Sequence, residues 1–121
     1  MRLSWDDGLR YPLGKINKEE AKFIYDIGYR VAGIAGPLDA TEDDINYAKD
    51  IVAEAGLVMG PFWLGHAAFR PDPEQHREHR KAMITALRIA GKLGCPHLGY
   101  SVGSMHTEST YMHHPDNHTQ K

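Results

Sequence analysis

Asp26-Ile27-Gly28-Tyr29-Arg30-Val31, Glu54-Ala55-Gly56-Leu57-Val58-Met59 and Lys92-Leu93-Gly94-Cys95-Pro96-His97 are three versions of one juncture, in which an amphipathic stretch stops at a glycine and an apolar run begins at the next residue. Glycine just past a helix end takes the left-handed backbone conformation that side chains oppose. Each juncture therefore predicts a helix C-terminus with a strand directly behind it.

Working outward, the helices have readable starts. Asn17 followed by Glu20 has the form of a capping box, and Ile24 and Ile27 supply an apolar face before Gly28. Thr41 caps a second helix whose first turn holds Glu42, Asp43 and Asp44, where carboxylates suit the helix dipole. Ile45, Ala48, Ile51, Val52 and Ala55 follow at helical spacing. Asp72-Pro73-Glu74 opens the third helix with a cap and a first-turn proline, and Met83, Ile84, Leu87, Ala90 and Leu93 form its stripe.

Between the helices lie apolar runs at 29–35, 57–64 and 95–102, with a short first strand at 2–5. They lack clean alternation, as strands covered on both faces do. Each long run carries a glycine near its middle, Gly33, Gly60 and Gly99, where something packs close. Alternating strands and helices predict βαβ units. The strand-to-helix loops, 36–40, 65–71 and 103–115, are the long ones, and ligands of such folds sit at that end. The expected fold is α/β, the N-terminal half of a parallel (β/α)8 TIM barrel with about four strands and three helices. Residues 1–121 then form a single partial domain, cut at the start of a fourth helix near His113-His114-Pro115-Asp116-Asn117. The inner sheet face would draw on Val31, Met59, Phe62 and Leu98. Two competitors are a self-associating half-barrel module and a flavodoxin-like sheet binding a small ligand without catalysis.

Composition narrows the partners. Among 121 residues, 14 Lys and Arg stand against 16 Asp and Glu with no basic stripe, which argues against nucleic acid. No signal-like or membrane-length apolar run is present, and Cys95 is the sole cysteine, so a cytoplasmic, disulfide-free protein is expected with no membrane partner. Gly99-Tyr100-Ser101-Val102-Gly103 lacks the Lys-Ser/Thr of a phosphate loop and the glycine spacing of a dinucleotide fold.

Ile27-Gly28-Tyr29, Ala53-Glu54-Ala55-Gly56-Leu57 and Ala86-Leu87-Arg88-Ile89-Ala90-Gly91-Lys92-Leu93-Gly94-Cys95, in this order and spacing, resemble the xylose-isomerase-like TIM-barrel superfamily, in its sugar phosphate isomerase and epimerase branch. The resemblance covers nearly the whole chain from Asn17. It implies a parent enzyme of carbohydrate metabolism in which a divalent metal (Mn, Mg, Co or Zn) polarises a sugar carbonyl while a carboxylate moves the adjacent proton. In that family the metal ligands and acid/base glutamates come from later strands, so no cofactor and no catalytic residue is assigned to this chain, and the isolated chain is expected to be inactive. Gly65-His66-Ala67-Ala68-Phe69 is also similar to the strand-three zinc histidine of the DNA-repair endonuclease branch, but Ser101-Val102-Gly103 stands where that branch has His-Pro-Gly.

The candidate substrate-binding residues are His66, Trp5, Trp63 and His106. His66, at the end of the third strand, could hydrogen-bond a sugar hydroxyl, and Trp5 and Trp63 could form apolar walls, although aromatic residues there also simply pack. His106 belongs to a histidine-rich tail with His113, His114 and His118, better read as a polar loop over the barrel mouth than as a metal site, since adjacent histidines point different ways. His76 and His79 share a charged helix stretch with Arg77 and Arg80 and read as a solvated face, while Cys95 reads as a small buried hydrophobe. The partners expected are a sugar or sugar phosphate and, because a half barrel leaves a sheet face open, a second copy of the chain in a homo-oligomer.

Overall fold

The computed structural model describes residues 4–9, 12–69, 72–103 and 115, with the backbone alone at 5–8, 65–69 and 101–103. The elements run β1 (Ser4–Leu9), a 3-10 turn (Leu13–Lys15), α1 (Lys18–Asp26), β2 (Val31–Ala35), α2 (Glu42–Glu54), β3 (Val58–Phe69), α3 (Pro73–Leu93) and β4 (Leu98–Gly103). The strands form one parallel sheet in the order β1-β2-β3-β4. This sequential order lacks the reversal that defines a doubly wound sheet. α2 touches both α1 and α3, which requires all three helices to lie on one side of the sheet.

The three glycine junctures are built alike. Gly28, Gly56 and Gly94 have φ of 106, 76 and 80°, and no other described residue has positive φ. At each, the glycine N–H bonds three residues back (Gly28 to Tyr25 O, Gly56 to Ala53 O, Gly94 to Gly91 O). The next N–H bonds five back (Tyr29 to Ile24 O, Leu57 to Val52 O, Cys95 to Ala90 O). That pair of bonds is the Schellman closure, in which the residue after the glycine packs its side chain onto the helix it ends. Tyr29, Leu57 and Cys95 accordingly pack on the core. The expectation that strands begin at 29, 57 and 95 is corrected for this reason. These residues are occupied in closing helices, and pairing starts at Val31, Val58 and Leu98.

The helix starts follow their caps with one exception. Thr41 and Asp44 form a reciprocal capping box, with Thr41 N–H donating to Asp44 Oδ2 at 2.8 Å and Asp44 N–H to Thr41 Oγ1 at 3.2 Å. Asp72 Oδ1 accepts from Glu74 N–H at 2.8 Å, with Pro73 opening the helix. Asn17 caps α1 through the N–H groups of Glu19 and Glu20, but Glu20 does not reach back, and its Oε2 is buried without a partner.

Helices and sheet enclose one core. Ala21 and Ile24 of α1, Ile45, Ala48, Ile51 and Val52 of α2, and Ala86, Ile89, Ala90 and Leu93 of α3 pack on Leu9, Ala32, Ile34, Phe62 and Leu64. Leu13 and Ile16, around the 3-10 turn, are also buried, and the Tyr47 hydroxyl of α2 donates to Ile16 O at 3.3 Å.

The inner-face expectation fails in part because of a bulge. Ala32 pairs with Met59 but Ile34 with Phe62, so three steps along β3 match two along β2. The extra residue falls at Gly60-Pro61, where a Cβ on Gly60 would lie 2.8 Å from Ala32 O, and a proline is tolerated because a bulge leaves its missing N–H out of the ladder. The bulge reverses the alternation beyond it. Phe62 pairs with Ile34 on one side and Leu98 on the other, with both Phe62 and Ile34 fully buried under the helices and Leu98 packed on the same core. Met59, in register with buried Ala32, packs there too. The opposite face carries Val31, Ala35, Val58 and Trp63, with Val58 47% and Trp63 40% exposed.

The remaining boundaries shift by extension. β1 spans Ser4–Leu9 rather than 2–5, and β3 runs on to Phe69, so most of the expected loop at 65–71, His66 included, is strand backbone. No described helix is long and apolar enough to cross a membrane.

Candidate functional site

In parallel sheets fed by short helix-to-strand returns, chemistry gathers at the C-terminal strand ends. The four sequence candidates fall differently against that edge. Trp63 pairs with Ala35, the last residue of β2, so it stands level with that strand's C-terminal end, on the face the helices leave open. Its other register partner is Gly99, near the start of β4. A Cβ on Gly99 would run into the six-membered ring of the indole, which therefore covers the Gly99 backbone.

His66 lies three residues further along β3, inside a register shift between Leu64, which pairs with Tyr100, and Ala67, which pairs with Ser101, so that three residues of β3 there match one step of β4. Trp5 is elsewhere. It pairs with Ala32, which pairs with Met59, so its backbone is level with the N-terminal part of β3, towards the opposite end of that strand from His66. The fold thus brings Trp63 and His66 to one end of one strand and separates Trp5 from both. His106 lies outside the described residues. Gly99 is the residue that sequence reasoning missed in this role. A glycine in the middle of an apolar run signals close approach, and only the register names the indole as what approaches.

No family model, curated protein or solved structure matches this chain.

Other chemistry-bearing groups are tied down locally. Among the described residues no three of His, Cys, Asp and Glu come together in a set that could hold a metal ion. Cys95 is half-buried at a helix closure, and burial pushes its thiol up to about 11, away from thiolate character at neutral pH. The Arg30 guanidinium lies 3.9 Å over the Tyr25 ring and donates to Tyr25 O at 2.9 Å and Tyr29 O at 2.6 Å, which makes it a latch on the end of α1. A cleft of about 370 Å³ between α1 and α2 is lined by Lys18, Lys22, Tyr25, Asp26, Ile51 and Glu54. Its charges neutralise one another, Lys18 with Glu54 at 3.1 Å and Lys22 with Asp26 at 2.8 Å, and it belongs to the outer helix layer rather than the strand ends.

Proposed function

We propose that this chain forms the N-terminal βα units of a (β/α)8 barrel of the sugar isomerase and epimerase type, and that it supplies part of the wall that holds the sugar. The observation that carries the reading is the open sheet face. The strands run in strict sequential order with the described helices on one side only, and among the described side chains the other side, where a barrel interior would lie, presents Val31, Ala35, Val58 and Trp63. The stagger points the same way. β1, β2 and β3 begin in register at Ser4, Val31 and Val58, whereas β4 begins opposite Phe62, four residues into β3. Such a step accompanies the strand tilt by which a sheet closes, and a (β/α)8 barrel needs a total shear of about eight.

Within this reading Trp63 offers an apolar wall to a sugar ring and His66 hydrogen-bonds a hydroxyl, while the metal and the acid/base carboxylates of the parent enzyme come from outside these strands. The part of these strands in that reading is to hold and orient the sugar. The test is saturation-transfer NMR on the 121-residue chain with D-xylose, D-fructose and D-fructose 6-phosphate in D2O. Expected is weak, saturable binding of at least one of them, reduced in His66→Ala, without exchange of the proton beside the carbonyl. Binding of none of the three overturns the proposal.

A further inference from the structure

We infer that Gly99 is the positioning residue of a ring-stacking platform, a bare patch of β4 on which the Trp63 indole rests with its outer side open to a carbohydrate ring. The inference rests on the sugar reading above and adds the seat of the contact. Trp63 and Gly99 are register partners, and the Cε3, Cζ3 and Cη2 atoms of the indole occupy the space a side chain at Gly99 would need. Gly99 is not one of the glycines with positive φ, so its backbone does not demand glycine. The indole does.

The surroundings keep the ring accessible. On β2 its partner is Ala35, with Gly33 two residues before, so small residues border the ring on that side and it remains 40% exposed while resting on β4. An indole backed by main chain is a rigid aromatic surface, negative over its face, which suits the outward C–H bonds on the apolar side of a pyranose or furanose. Pockets for small ligands combine such apolar walls with a few polar groups that fix orientation.

The test uses the full chain with Trp5→Phe, which leaves Trp63 as its single tryptophan. Gly99→Ala should keep the far-ultraviolet circular dichroism, shift Trp63 emission and raise its quenching by acrylamide as the ring is pushed off β4. It should also weaken binding of the responding sugar by about tenfold in calorimetry, the scale of one lost aromatic contact. Trp63→Leu should weaken it at least as much. Should Gly99→Ala fail to fold, Gly99→Ala combined with Trp63→Leu removes the collision and should fold, and failure of that pair overturns the inference. Unchanged Trp63 emission and quenching in Gly99→Ala also overturns it. So does sugar binding that persists at wild-type strength in Gly99→Ala, an outcome that leaves the sugar reading standing. Absence of any sugar response in the unmodified chain overturns both.

Discussion

A single backbone conformation at Gly56 separates two glycine substitutions that look equivalent in sequence. Gly56 has φ of 76°, and a Cβ there would lie 3.0 Å from the Tyr25 ring, whereas Gly91 sits within α3 with open space where its Cβ would go. Gly56→Ala should lower stability by about 1 to 2 kcal/mol, the cost of a left-handed non-glycine residue, with the Tyr25 contact adding to it. Gly91→Ala should raise stability by up to about 1 kcal/mol through helix propensity. Urea midpoints of both variants check the pair, and equal shifts in one direction would contradict the assignment. Asp44 is a second residue-scale case. Its hydrogen bonds from the Thr41 hydroxyl and backbone N–H hold its carboxyl below the ordinary carboxylate range. A depressed folded-state value means the contribution to stability is present at neutral pH and disappears as pH falls through that value. NMR titration should find Asp44 below the ordinary carboxylate range, and Thr41→Ala should return it towards that range while costing about 1 kcal/mol for the lost cap.

At the scale of elements, the Schellman closures govern where each strand can start. Cys95 illustrates the consequence, since it serves as the apolar residue that seals α3 rather than as a strand residue facing solvent. Burial raises its thiol from the ordinary 9.0 to about 11. Unfolded chain therefore loses this proton first, so stability should decline as pH rises from about 9 towards 11. Native protein at pH 8 should react with iodoacetamide far more slowly than urea-unfolded protein, and equal rates would show the thiol to be free. The Gly60-Pro61 bulge is the other element-scale device. By inserting one residue into β3 it puts Phe62 under the helices and Trp63 on the open side.

For the molecule as a whole, one layer of helices on a parallel sheet leaves the other sheet face without a cover among the described residues. Exposure of an apolar side chain the size of valine forfeits roughly 1.5 to 3 kcal/mol against full burial, and Val58, at the start of β3 and away from the Trp63 platform, keeps 47% of its surface in water. Patches of this kind associate. At tens of micromolar, equilibrium sedimentation should give a mass above 13.6 kDa, and Val58→Asp should shift the population towards monomer without loss of helical circular dichroism. A cooperatively folding, strictly monomeric wild-type chain at that concentration would overturn the half-barrel reading.

Sequence alone determined the alternation of strand and helix, the three left-handed glycines, the Thr41 and Asp72 caps and the α/β class, because these depend on backbone conformation and on contacts within a few residues. Reading the same local rules too literally misplaced the strand starts at 29, 57 and 95 and made a loop of 65–69, which is strand. What pairs with what was a tertiary decision. The bulge at Gly60-Pro61 depends on how β2 lies beside β3, and one inserted residue exchanges the faces of the residues from Phe62 to Leu64, up to the next register shift. Trp63, flagged from its residue type, became the best-placed candidate only when the sheet set it on the open face across from Gly99, while the register took Trp5 to the far end. A side chain's chemistry is written in the chain, but its neighbours across a parallel sheet come from residues some 30 positions away, and those are chosen by packing.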